Sequence, residues 1–266
     1  MYAFDYQRPN DAQGAVKTLA GDADAKFLAG GQSLLAAMKL RLAQPSTLVD
    51  VTRIPDLGAI AVDGKVVKVG AAVRHADVAE HAGLRAALPA LADLAAHIGD
   101  RQVRALGTLG GSLANNDPAA DYPAAVLALN GTVVTDRRRI AADAFFLGMY
   151  ETALAPDELI VAVEFPVPEH AAYEKFRNPA SQFALTGVFV AKSADGAVRV
   201  AVTGAAPSVF RATALEQALA ANFTPAAARA VKIAADDLNT DLHASAAYRA
   251  HLIPVLAARA VEKATG

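Results

Sequence analysis

The chain contains no cysteine. That excludes disulfides and any iron–sulfur cluster ligated by its own thiolates. It has no apolar run long enough to span a bilayer, and Met1–Asn10 shows no apolar signal segment, so a cytoplasmic location is the expectation. The six histidines (His75, His81, His97, His170, His243 and His251) are scattered, with no i, i+4 pair, which argues against a metal site. Neither sign of charge is in excess. There are 25 basic and 27 acidic residues, and no patch or tail marks a nucleic-acid or membrane surface. Aromatics are few, at 6%. Several motifs are also missing: the dinucleotide fingerprint G-x-G-x-x-G, the phosphate loop G-x-x-x-x-G-K-S/T, the nucleophile elbow G-x-S-x-G and the zinc motif H-E-x-x-H. A hydrolase has little support, and a bound dinucleotide would need another fold.

What is present is a large apolar share, 54% of 266 residues and rich in alanine, enough for a sizeable core. Ala3–Tyr6 reads as extended, followed by a helix from about Asp11 to Leu19 capped by Asn10, a short strand Lys26–Ala29, a helix Ser33–Leu42 and a strand Thr47–Val51. Asp63-Gly64 predicts a hairpin between Ala59–Val62 and Val66–Gly70. Helices are predicted at His75–Ala82, Ala86–His97 and Tyr122–Leu129, and strands at Thr132–Thr135 and Leu159–Phe165. Pro166 and Pro168 suggest a boundary. Beyond it come strands Tyr173–Arg177, Leu185–Lys192 and Val198–Thr203, then helices Ala212–Ala220, Pro225–Leu238 and Ser245–Lys263, the last kinked or split at Pro254.

Two glycine segments carry the chemistry. In Ala29-Gly30-Gly31-Gln32-Ser33, adjacent glycines let the backbone turn sharply and leave N–H groups unobstructed, and the following helix start adds donors. This suits a phosphate. A plain strand–helix turn with Ser33 as cap fits the same residues. The second segment, Thr108 to Asp117, sets Gly110-Gly111 between Thr108 and Ser112, with Asn115 and Asp117 beyond. It reads as a glycine-rich loop. Asp121 follows, just before a helix. Two cradles suit a diphosphate, which needs donors from more than one side, and a nearby carboxylate can accept sugar hydroxyls. Two unrelated tight turns remain the alternative. Asp121 also reads as a helix cap, Lys175 as a strand-surface lysine, His97 as a helix-end contact, and Arg101, Arg104 and Arg137-Arg138-Arg139 as a solvated face or a partner surface.

At these residues the chain resembles the medium, FAD-binding subunits of aerobic carbon monoxide dehydrogenases and their relatives in the xanthine dehydrogenase (molybdenum hydroxylase) family. The likeness runs through Phe4-Asp5-Tyr6, Arg8-Pro9, both glycine segments, Met38-Lys39, Arg41, Leu48-Val49-Asp50, Gly99–Arg104, Tyr150-Glu151-Thr152, Pro166-Val167-Pro168 and Tyr173-Glu174-Lys175. It implies an α+β chain: a vanillyl-alcohol-oxidase (PCMH)-type FAD-binding domain over 1–168, with subdomains of about 1–56 and 57–168, then a domain of three antiparallel strands and helices over 169–266. Ala29, Gly30, Gly31, Gln32, Ser33, Leu34, Thr108, Gly110, Gly111, Ser112, Asn115 and Asp117 would then hold the cofactor. Asp121 would lie near its sugar, Ile98 and Ile160 against flavin or adenine, Lys175 near the isoalloxazine, and Phe183 beside the ring.

Two residues depart from the carbon monoxide pattern. Phe183 stands where a tyrosine is frequent, which removes a hydroxyl, and Gln32 where histidine is frequent. The resemblance further implies partners: a small subunit with 2Fe-2S clusters and a large one with the molybdenum cofactor, assembled as a dimer of heterotrimers. FAD would pass electrons to an external acceptor, with no catalytic acid or base in this chain. The alternatives are a stand-alone flavin reductase or oxidase on the same fold, recognised by turnover without partners, and a scaffold protein, recognised by a colourless preparation.

Overall fold

The computed structural model describes residues 1–266. Its first layer is a small parallel sheet with Thr47–Asp50 in the middle, between Asp5–Gln7 and Lys26–Leu28. Every residue of the middle strand is buried, as expected of a strand covered on both faces. The helix Ala12–Ala20 crosses this sheet, with Ala15 and Leu19 against Val49 and Val51. Its cap is Asp11, not Asn10: the Asp11 carboxylate accepts the Gly14 N–H at 2.7 Å. The next helix is shorter than its apolar spacing predicts. It spans Leu34–Lys39, and Arg41 enters the left-handed region at φ 61°. Met38 is its one buried residue, and Leu42 points to solvent.

A five-stranded antiparallel sheet follows, ordered Ile60–Asp63, Val66–Gly70, Ile160–Pro166, Thr132–Thr135, Arg139–Ala141. Its first two strands form the hairpin predicted at Asp63-Gly64, with Gly64 at φ 56°. The helices above it are short: His75–Glu80, Ala82–Ala87, Pro89–Ala96, Arg101–Leu106, Leu109–Asn115 and Tyr122–Ala128. The second glycine segment is therefore a helix, not the expected loop. Thr108 caps it, accepting the Gly111 N–H at 3.2 Å.

The third sheet is antiparallel, in the order His170–Arg177, Ala184–Lys192, Val198–Thr203, Phe210–Arg211, which adds one short strand to the three expected. Helices Thr213–Ala221, Pro225–Ala230 and Ala246–Thr265 cover one face. The middle one stops well short of the predicted Leu238. The last is unbroken, with Pro254 buried inside it. The largest core cluster, 34 residues, ignores the boundary between sheets: Tyr122, Phe145 and Phe165 share it with Tyr173 and Phe189 of the third sheet.

Candidate functional site

A cleft of about 550 Å³ runs between the small parallel sheet, the short helices and the third sheet. That is within the usual range for a small-molecule site. All of the predicted site residues line it except Lys175.

The first glycine segment forms its polar end. The N–H groups of Gly30, Gly31, Gln32, Ser33 and Leu34 donate to no acceptor in the chain. Consecutive free amides make a concavity suited to an anion. Each glycine is needed for its own reason. Gly31 sits at φ 69°, a left-handed conformation that strains other residues. Gly30 lets the Leu106–Gly107 backbone approach so closely that a Cβ would overlap the Leu106 carbonyl oxygen. Ser33 makes no capping hydrogen bond, which removes its reading as a simple cap.

The second segment lies beside the first but differs chemically. Its amides are already used: Leu109 N–H bonds Val73 O, Gly110 N–H bonds Ala71 O at 2.8 Å, and Ser112 N–H bonds Thr108 O. The expectation of two amide cradles is corrected to one. Gly110 is a packing glycine, since a Cβ would sit 2.5 Å from that of Ala71. The segment gives the cleft the small polar side chains Ser112, Asn115 and Asp117. Asn116, unremarked in the sequence, pins this end: left-handed at φ 43°, it donates to Gly148 O and Glu151 O at 2.8 and 2.9 Å.

Asp121 stands at the wall with 3% of its side chain exposed. It makes no capping bond. Instead it accepts from the Tyr173 hydroxyl at 2.6 Å and from Lys175 Nζ at 2.9 and 3.2 Å. Burial pushes its carboxyl upward, while Lys175 and then the Tyr173 hydroxyl oppose that rise. Lys175 is not the solvated surface lysine considered above: its side chain is 2% exposed and committed to Asp121.

An apolar stretch of the walls is formed by Ile98, Leu154, Leu159 and Ile160, with the half-exposed Phe183 at the mouth. His75 was not anticipated, because a lone histidine at a helix start carries no motif. It lines the cleft, is buried against Gly107, and its Nδ1 has no partner. Burial, then the charge of Arg104, lowers its pKa to about 4, so the ring is neutral. His97 bonds Asp93 O at 2.9 Å, in line with a helix-end contact. The arginine run is paired within the chain: Arg137 to Asp157, Arg138 to Glu158 and Arg139 to Glu164.

Five free amides for a diphosphate, a buried carboxylate for sugar hydroxyls and an apolar trough for flat rings together fit a flavin dinucleotide. The fold and cleft are those of a flavin-carrying subunit. Residues 2–168 match the family model described as the FAD binding domain in molybdopterin dehydrogenase, and residues 171–264 match the CO dehydrogenase flavoprotein C-terminal domain. The chain belongs to this family and is a medium, FAD-binding subunit of the molybdenum hydroxylase type. It is 38% identical to the nicotine 6-hydroxylase medium subunit of Paenarthrobacter nicotinovorans, over 98% of this chain and 97% of that one. Carbon monoxide dehydrogenase from Hydrogenophaga pseudoflava, in a form lacking the Mo-pyranopterin moiety of its cofactor, superposes with TM-score 0.87 at 35% identity, over 99% and 98% of the two chains. Quinoline 2-oxidoreductase from Pseudomonas putida 86 superposes with TM-score 0.89 at 30% identity, over 99% and 97%.

Proposed function

We propose that the cleft holds FAD with its diphosphate on the free amides of Gly30–Leu34, and that this chain is the electron-relay subunit of a molybdenum hydroxylase. The observation that carries this reading is the run of unpartnered amides of Gly30–Leu34 at a cleft that also offers apolar walls and the buried Asp121 carboxylate. FAD held there would supply one- and two-electron redox chemistry, and the proposed partners are a small subunit with 2Fe-2S clusters, a large subunit with the molybdenum cofactor and an external acceptor. The chain's own part is to bind and orient. Gly31 aims the amides, Ser112, Asn115 and Asp117 add polar contacts, and Asp121 accepts sugar hydroxyls. Ile98, Leu154, Leu159 and Ile160 exclude water from the ring faces.

We divide the chain at residue 168 into an FAD-binding part and a C-terminal part, supported by where the two family models meet. The complex is proposed to be a cytoplasmic dimer of heterotrimers. The relatives differ in what they oxidise, so the substrate is a property of the large partner.

Co-expression with the neighbouring subunits, then size-exclusion chromatography with flavin, iron and molybdenum analysis, tests this reading. One FAD per copy of this chain is expected, with flavin reduced by the partner's substrate. A colourless complex, or steady NAD(P)H turnover by this chain alone, would refute it.

A further inference from the structure

Asp121 lies at the cleft wall, yet the groups that neutralise it come from elsewhere in the molecule. Tyr173 and Lys175 sit two residues apart on the strand His170–Arg177, so both side chains leave the same face of the third sheet and meet one carboxylate. The Tyr173 ring is stacked on Phe189, centroids 6.1 Å apart. Its hydroxyl has room only because residue 187, on the neighbouring strand, is glycine; a Cβ there would overlap the hydroxyl oxygen. The loop that carries Asp121 is gripped by the same sheet. The single proton of Thr203 Oγ1 is shared between Ala120 O at 2.6 Å and Pro118 O at 3.0 Å, and Gly204 N–H donates to Pro118 O at 2.8 Å.

Resting on the flavin reading above, we infer that Lys175 and Tyr173 are positioning residues that keep the Asp121 carboxylate charged and aimed at the sugar hydroxyls of the dinucleotide, and that Lys175 acts through Asp121 instead of on the flavin ring. Lys175 is missing from the cleft wall, and its ammonium is spent on both carboxylate oxygens. A carboxylate at this depth with no cation beside it takes up a proton, which turns one of its oxygens from acceptor into donor. The third sheet, which contributes nothing to the amide cradle, thereby governs how tightly the cofactor is held.

A double-mutant cycle on the co-purified complex separates this from direct flavin contact. FAD is stripped and added back, and its Kd is read from flavin fluorescence in wild type, Asp121→Asn, Lys175→Met and the double variant. Each single change is expected to weaken FAD about tenfold, while the double stays within about twofold of Asp121→Asn, because coupled residues are not additive. The flavin midpoint potential of the double should equal that of Asp121→Asn. Where a lone buried charge prevents folding, the uncharged double variant serves as background: Tyr173→Phe should weaken FAD in wild type and change nothing there. Losses that multiply in the double, or a potential shift from Lys175→Met that persists without Asp121, would overturn the inference. A wild-type complex that binds no FAD would sink the flavin reading and this inference with it.

Discussion

The Cα of Gly30 lies so close to the carbonyl oxygen of Leu106 that any side chain at position 30 would overlap it. This one approach joins the amide cradle to the chain entering the second glycine segment. Gly30→Ala must push the two apart, at a cost of about 1–3 kcal/mol, as for overpacking elsewhere. Gly31→Ala meets a left-handed backbone and a Leu35 methyl 2.7 Å away. Both variants are expected to lose FAD. Chemical denaturation and flavin content of the purified complex check this. Retention of full flavin by Gly30→Ala would show that the approach is not required.

Glu158 and Asp50 predict an acid limit to stability. Arg138, through a 2.6 Å bond, and the Thr135 hydroxyl hold the Glu158 carboxyl down at about 2. Burial would raise Asp50, but Thr52, Tyr6 and Arg8 outweigh it and bring it to about 2. Both native values lie below the ordinary 4.5 and 3.8, so the unfolded chain binds more protons. Their contribution is complete above about pH 4.5 and disappears as pH falls toward 2. Glu158→Gln should flatten the stability–pH curve in that window and leave its shape near pH 7 alone. Urea midpoints across the range measure it.

His75 predicts a second, separate window. Its native value of about 4 is below the ordinary 6.5. The unfolded chain therefore takes up a proton first, and stability falls as pH drops from about 6.5 to 4. His75→Phe should remove this slope. By NMR, the His75 ring signal should stay that of a neutral imidazole until near pH 4. A midpoint near 6.5 would mean that the ring is not shielded as described.

Phe183 stands half exposed at the cleft mouth, on a turn of the third sheet that also holds Gln182 at φ 61°. Phe183→Tyr adds a hydroxyl without changing the ring. Flavin content and melting temperature should be unaltered, and the flavin midpoint potential should move. Spectroelectrochemistry decides this, and an unchanged potential would mean the side chain does not reach the ring.

Features written in short stretches of sequence were legible. The Asp63-Gly64 hairpin, the longer strands and the first glycine segment follow from local turn chemistry and alternation, whereas the two- and three-residue strands Arg139–Ala141, Phe146–Gly148, Glu151–Thr152 and Phe210–Arg211 are too short to carry such a pattern. What sequence could not supply was set by distant partners. Glycines 110 and 111 lie within a helix despite costing up to about 1 kcal/mol each relative to alanine: Ala71 takes the space and the amide of Gly110, and the Thr108 hydroxyl does the same at Gly111. The alanine-rich run after Pro225 leaves the helix at Val231, so that Val231 and Ile233 both reach the core; two residues apart, a helix would turn them to opposite sides. The resemblance put Lys175 near the ring. Local patterning offered nothing to show that its charge is taken up by Asp121, 54 positions away.

The apolar cluster shared by Tyr122 and Phe165 with Tyr173 and Phe189 has a practical corollary. A fragment cut near residue 168 would bare oily faces that have never met water, and would leave a buried acid without its cation. Anyone wishing to graft this flavin holder onto another electron donor has to transplant the whole polypeptide.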